Sequence, residues 1–261
     1  MGGRGSSYYE NKNALIEKLM RSMNITKNQT IIKEDPESQR TDYPLFEHLK
    51  NYGISTRQST DACSLEKLEI HQMQLYKLSK KYQRLTNVIS MEKEIQFSQD
   101  NRKNAYGYLV SGELVDGRLF TRLALSDIVI NNNKLYIMLK RDAIKKGQSV
   151  KVDDNKINIY TSTHEFGHLL EENIIRKRYN SHKNKGLDYN LFKEVEASRI
   201  KNEVVKIYKT RYNNDDIYLS TYANQGGDFE WFAETFTNLE LSSKPAPIAE
   251  TLGDYLRSQI W

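Results

Sequence analysis

The sequence predicts an α+β fold that is mostly helical, with one small twisted sheet and a helical arm at the N-terminus. Apolar residues recur every seven positions between residues 64 and 98, which is the spacing of one long helix with a narrow apolar seam. Short β-branched and aromatic runs, separated by Gly and Asn, fill residues 104–160 and are typical of strands. Apolar residues at helical spacing follow after residue 160.

The change from a helical pattern to strand-like runs near residue 100 predicts two parts of the chain. They are a helical N-terminal region at residues 1–100 and a second domain at residues 101–261. The seam of the long helix near 64–98 consists of Leu68, Leu75, Tyr82 and Ile89. This seam can pack on the second domain, on another helix of the arm, or on another subunit. His71 lies on the same helix and is interpreted as a residue at the edge of the seam.

Five short runs are the predicted strands of the sheet. They are residues 105–110, 119–125, 128–130, 134–139 and 156–160. An edge strand of such a sheet can hold an extended peptide through main-chain hydrogen bonds. A sheet that merely covers the helix after it fits the sequence equally well.

Composition narrows the class of protein. The 261 residues are 38% hydrophobic and include 17 Tyr and 8 Phe, which is enough for a core. The formal net charge of +5 is modest and no base-reading motif is present, so a nucleic-acid or repressor-associated module is the least favoured hypothesis. Cys63 is the only cysteine, which excludes an intrachain disulfide and a zinc site built from cysteines.

No apolar run approaches the length that a membrane-spanning helix needs. The opening residues contain no apolar core of a secretory signal. We therefore expect a cytoplasmic protein without membrane contact, or one exported or packaged by a route that the sequence does not display. The modest charge predicts no specific nucleic-acid partner.

The segment His164-Glu-Phe-Gly-His168 carries the main chemical signal. On a helix, His164 and His168 lie one turn apart on the same face, so their imidazoles can converge on one ion. Two neutral imidazoles suit Zn²⁺, and Glu165 beside them can accept a proton from a metal-activated water. Gly167 weakens a helix, and we expect it where another backbone passes close to the metal. The alternative is two surface histidines on an ordinary helix.

A catalytic zinc needs three protein ligands and one open position, so a third ligand must come from elsewhere in the chain. Glu230 and Glu234 are four residues apart and share one face of a predicted helix rich in phenylalanine. Carboxylates buried on such a helix need a cation or strong donors, and a metal with a ligating imidazole would supply both. Glu230 is therefore the predicted third ligand. The alternative for each acid is an ordinary solvated position.

Three segments together resemble the catalytic core of the anthrax lethal factor-like zinc peptidases. They are His164-Glu-Phe-Gly-His168, Ser220-Thr-Tyr-Ala and Phe229-Glu-Trp-Phe-Ala-Glu-Thr-Phe236. These peptidases are gluzincins, in which two helices supply His-Glu-x-x-His and a downstream Glu. The resemblance covers residues 155–241 and is weak across residues 1–100. The opening Met-Gly-Gly-Arg-Gly-Ser is similar to the starts of bacteriophage minor head proteins and of mobile-element proteins that carry this kind of domain.

The resemblance implies a zincin-like metallopeptidase domain and a role for each matching residue. The implied zinc ligands are His164, His168 and Glu230. Glu165 is implied as the general base, and Tyr222 as a residue over the open coordination site. Glu234 would bond a ligating imidazole and fix its tautomer. A packed loop tyrosine is the alternative for Tyr222, because Gly226 and Gly227 make the loop before Glu230 depart from the family pattern.

The expected function is that of a zinc-dependent endopeptidase with a protein or peptide substrate. The alternative is a phage or mobile-element structural or assembly protein that retains a metallopeptidase fold. In that case the long helix near 64–98 would be the working surface, and a phage or host protein would bind through the N-terminal helices.

Overall fold

The computed structural model describes residues 54–56, 65–83, 93–99, 106–115, 118–181 and 188–259. The helices in this part are α1 (Leu65–Lys81), α2 (Asp127–Ile130), α3 (Asn133–Lys145), α4 (Tyr160–Ser181), α5 (Tyr189–Tyr212), α6 (Thr221–Gln225), α7 (Asp228–Leu241) and α8 (Pro247–Ser258). A 3-10 helix at Asp154–Ile159 leads directly into α4. Within these residues, no helix combines the length and the apolar character needed to cross a membrane.

The strands in the described part are β1 (Ile54–Thr56), β2 (Lys93–Gln99), β3 (Gly107–Val115) and β4 (Arg118–Leu125). They pair in the order β1-β2-β4-β3. The β1–β2 and β2–β4 pairs are parallel, whereas β3 is antiparallel to β4 and has an irregular register between Ser111 and Glu113.

The predicted α+β class is wrong. Among the residues whose side chains the structure places, about 77% are helical and 3% are in strands, so the fold belongs to the all-α class. From the strands, Leu123 and Leu125 are buried in the core and Leu109 packs against it. In the described part of the chain, the rest of the core consists of residues from helices and from the turns between them.

Three of the five predicted strands are helical in the structure. Residues 128–130 lie in α2, residues 134–139 in α3, and residues 156–160 in the 3-10 helix and the first residue of α4. The buried residues of α3 are Leu135, Tyr136, Leu139 and Lys140. These residues recur at an interval of four, which is the spacing of one helix face. The β-branched and aromatic composition of this region favours strands, but packing against the core determines the secondary structure of such segments.

The predicted long helix is also shorter than expected. α1 ends at Lys81, and residues 93–99 form β2, so the helix prediction is wrong over that last part. The parallel ladder between β2 and β4 uses the backbone groups that a continued helix would need. Ile89 and most of the predicted N-terminal region lie outside the described residues. The predicted boundary at residue 100 stays a prediction.

Buried leucines of α1 pack on the helices that follow it in the chain, α4 and α7. Leu75 and Leu78 lie in the same buried cluster as Phe166 of α4 and Phe236 of α7. His71 is 1% exposed, and its Nδ1 lies 3.2 Å from Oγ of Ser162 at the start of α4. α1 therefore supports the first turns of the helix that carries both site histidines.

Helices α4 and α7 cross closely, and Gly167 makes this approach possible. A Cβ at Gly167 would lie 3.1 Å from Cα of Ala233 and 3.1 Å from the ring of Phe236. Such a contact is tighter than ordinary packing allows, so the backbone of α7 occupies the space that a side chain would take. The expected close approach of another backbone at Gly167 is confirmed, and its closeness to a metal stays a prediction.

His71 makes the free energy of unfolding depend on acid pH. Burial lowers the pKa of His71 from 6.5 to about 4. As the pH falls, His71 is protonated in the unfolded chain before it is protonated in the folded protein. The contribution of neutral His71 to the free energy of unfolding is therefore fully present above pH 6.5 and is lost as the pH falls toward 4. In His71→Gln no such proton is taken up. We expect urea unfolding to show that the wild type loses roughly 3 kcal/mol more than this variant between pH 7 and pH 4. Equal losses would contradict the prediction.

Candidate metal centre

Helix α4 sets the relative position of the two histidines. His164 and His168 lie one turn apart, with ring centroids separated by 4.9 Å and ring planes at 86°. His164 is 7% exposed, so it is held inside the protein rather than on a solvated surface. The predicted shared helix face is confirmed, and perpendicular rings can aim one nitrogen each at a common point.

Helix α7 brings the third predicted ligand to the same point. Oε2 of Glu230 lies 3.1 Å from Nε2 of His164 and 3.5 Å from Nε2 of His168. The preceding turn packs directly on this side chain, because a Cβ at Gly226 would lie only 2.6 Å from Cβ of Glu230. The turn at Gly226 therefore lies directly against the side chain of Glu230.

The three donors fit a metal ion. One ligand atom each from His164, His168 and Glu230 lies within 4.8 Å of the others. Metal–ligand bonds of about 2.0–2.1 Å in a tetrahedron separate neighbouring ligand atoms by about 3.3 Å, which is close to the two measured distances. Imidazole and carboxylate donors suit zinc and other divalent transition metals, so the choice of Zn²⁺ stays a prediction.

The hydrogen-bonding chemistry of His164 also fits a cation. Its Nδ1 lies 3.2 Å from Oε1 of Glu234, at ion-pair distance but without the alignment of a hydrogen bond. A proton on Nδ1 leaves the lone pair of Nε2 facing the carboxylate of Glu230. Burial lowers the pKa of His164, but the two carboxylates outweigh burial and raise it to about 10. A cation bound between Nε2 of His164 and the carboxylate of Glu230 would take the place of this extra proton and release it.

The carboxylate of Glu230 responds to the same neighbours. Burial raises its pKa, but the imidazoles of His164 and His168 hold the pKa well below its usual value. Glu230 is thus kept in the ionised form that a metal ligand requires.

Glu234 lies behind His164 and is surrounded by donors. It is 1% exposed. Its Oε1 accepts a hydrogen bond from the Tyr160 hydroxyl at 2.5 Å. Its Oε2 accepts bonds from the N–H of Val150 at 2.9 Å and from Oγ of Ser220 at 3.0 Å. Burial raises the pKa of Glu234, but His164, Lys140 and the Tyr160 hydroxyl lower it overall. The structure places Glu234 beside the imidazole as predicted, and its control of the tautomer stays a prediction.

Sequence reasoning missed Lys140, a buried cation in this region. It is 8% exposed, its Nζ lies 3.9 Å from the ring centroid of Tyr160, and it donates a hydrogen bond to Oγ of Ser149 at 3.3 Å. Burial lowers the pKa of Lys140, and the carboxylates of Glu234 and Glu165 oppose this effect. No local signal in the sequence marks Lys140, because its burial depends on contacts with residues distant in the chain. Tyr160 was detectable in principle, since it lies one turn before His164 on the same helix.

The structure also brings the two predicted catalytic residues to this region. Glu165 is 4% exposed; burial raises its pKa, while His164 and His168 lower it in part. A carboxylate with a raised pKa is suited to proton transfer near neutral pH. Tyr222 of α6 is 41% exposed, and its ring centroid lies 6.1 Å from that of His164. The roles of both residues in catalysis stay predictions.

Comparisons with protein-family models, curated proteins and solved structures found no match to this chain. The resemblance to the lethal factor-like peptidases therefore rests on the sequence motifs.

Gly226→Ala should weaken metal binding about 10- to 100-fold, because the added methyl group displaces the side chain of Glu230. A competition titration with a chromogenic chelator measures this change. Gly227→Ala is the matched control: Gly227 has φ +92, and a Cβ there meets nothing within 4 Å. We expect this control to lose about 1–3 kcal/mol of stability through backbone strain but to keep its metal affinity. Wild-type affinity in Gly226→Ala would contradict the prediction.

Proposed function

We propose that this protein is a zinc-dependent endopeptidase of the gluzincin type. The observation that supports this most is the convergence of two imidazole nitrogens and one carboxylate in a partly buried corner between α4 and α7. Glu165, adjacent to His164 in sequence and buried, gives this corner a candidate base. Three protein ligands with a nearby carboxylate are the arrangement that metal-assisted hydrolysis requires.

Each residue of the site has a separate role in the proposed peptide hydrolysis. When bound, zinc supplies a Lewis acid that activates water for attack on a carbonyl. Glu165 accepts the proton of the attacking water and then donates it to the leaving amine. The hydroxyl of Tyr222 donates a hydrogen bond to the oxygen on which negative charge develops. Glu234 keeps His164 oriented throughout.

The substrate is a protein or peptide, because this chemistry matches an amide carbonyl and an amine leaving group. Tyr222 is 41% exposed, so the side of the centre that it occupies is open to solvent and to a substrate chain.

The alternative of a structural or assembly protein has less support. It relied on a long helix as an exposed working surface, whereas α1 ends at Lys81 and buries Leu75 and Leu78 in the core. A phage or host partner of the N-terminal helices, and a phage or mobile-element origin, remain proposals from the sequence resemblance.

Glu165→Gln should keep the metal and lower peptide hydrolysis by at least about 10²-fold, since an amide cannot accept the proton. Metal analysis and cleavage profiling of a peptide library, with and without chelator, measure the two effects. Glu194→Gln makes the same chemical change at an exposed position of α5 and should keep full turnover. Full turnover by Glu165→Gln would remove the proposed base.

His164→Ala and Glu230→Ala should each lose most of the bound metal, because two remaining donors form a much weaker site. Metal analysis of the purified proteins after dialysis tests this, with circular dichroism to establish that each variant is folded. A folded variant with wild-type metal content would show that the metal is held elsewhere.

A further inference from the structure

We propose that Ser220 couples the metal centre to the turn that carries Tyr222, so that metal binding and the position of this turn stabilise each other. The inference rests on the proposed metal site and concerns how that site is assembled.

Ser220 uses one hydroxyl for two contacts. It is fully buried, and its Oγ donates a hydrogen bond to Oε2 of Glu234 at 3.0 Å. The same oxygen accepts a hydrogen bond from the N–H of Ala223 at 3.0 Å, which makes Ser220 the N-cap of α6. One contact reaches the carboxylate behind His164, and the other holds the short helix on which Tyr222 lies.

The carboxylate of Glu234 transmits the position of Ser220 to His164. Its Oε2 binds Ser220, whereas its Oε1 lies 3.2 Å from Nδ1 of His164. A carboxylate is planar and rigid, so a shift of one oxygen moves the other. A buried carboxylate that loses a donor must reorient toward those that remain, which here are the N–H of Val150 and the hydroxyl of Tyr160.

Backbone hydrogen bonds also link the turn of Tyr222 to Glu234, through the segment at 147–150. The N–H groups of Thr221 and Tyr222 donate hydrogen bonds to the carbonyl oxygens of Gly147 and Gln148, at 2.8 and 3.1 Å. Two residues after Gln148, the N–H of Val150 binds the same Oε2 of Glu234 that Ser220 binds. The turn of Tyr222, the segment at 147–150 and Glu234 therefore form a closed set of hydrogen bonds.

This arrangement makes Ser220 a positioning residue. Its hydroxyl acts on His164 through Glu234 and on Tyr222 through the cap of α6. A cation that fixes His164 also fixes Glu234, and through Ser220 it fixes the turn. Thermodynamic linkage requires the reverse effect to be equal, so an ordered turn raises the affinity for the metal by the same factor.

The test compares the wild type with Ser220→Ala and uses zinc and cobalt ions alone as probes. Loss of the hydroxyl should weaken zinc binding about tenfold and change the visible absorption spectrum of the cobalt-loaded protein. In the wild type, zinc should slow hydrogen exchange at the amide of Ala223 about tenfold, and Ser220→Ala should lose this effect. Exchange within α8 should be unaffected by zinc in both proteins.

Thr221→Ala is the matched control. It removes the hydroxyl next to that of Ser220 in the chain. The Thr221 hydroxyl lies 3.2 Å from the hydroxyl of Tyr218, whereas the Ser220 hydroxyl binds Glu234. This variant should match the wild type in zinc affinity, cobalt spectrum and metal-dependent exchange.

The outcomes separate this inference from the proposed function. A wild type that binds no zinc would refute the metal centre itself. A wild type that binds zinc, together with a Ser220→Ala variant of equal affinity and equal metal-dependent exchange, would refute the coupling and leave the centre standing. If Ser220→Ala does not fold, the wild type still decides: exchange at Ala223 that zinc leaves unchanged overturns the coupling.

Discussion

Repulsion between lone pairs is the constraint that organises this protein. Two imidazole nitrogens and a carboxylate oxygen lie in one partly buried corner, and their lone pairs repel one another unless a proton or a metal ion lies between them. Burial of His164 and Glu234 removes the solvent that would otherwise stabilise their charges. The carboxylates of Glu234, Glu165 and Glu230 all act on the ammonium of Lys140, so negative charge is concentrated around this corner.

The scaffold holds these groups together against that repulsion. The crossing of α4 and α7 at Gly167 brings the backbone of one helix against the other, so Glu230 cannot move away without disturbing the aromatic core. α1 packs on the start of α4, and Glu234 is fixed by donors from three separate parts of the chain. Packing therefore supplies the free energy that brings the donors together, and a bound cation would relieve the repulsion between them.

The parts of the site that follow from helix geometry were accessible from sequence. The interval between His164 and His168 fixes their shared face, and Gly167 signalled a close backbone approach. The contacts of Lys140 and Ser220 were not accessible, because each depends on residues distant in sequence meeting in the fold. The prediction of the fold class failed for a related reason: Leu135, Tyr136 and Leu139 form one buried face of α3, and only the complete core reveals that face.

An anomalous difference map from crystals of the protein grown with zinc tests the central claim most directly. The account predicts one strong peak bonded to Nε2 of His164, Nε2 of His168 and a carboxylate oxygen of Glu230, at about 2.0–2.2 Å from each. A strong peak at other residues, with no density between these three side chains, would contradict it.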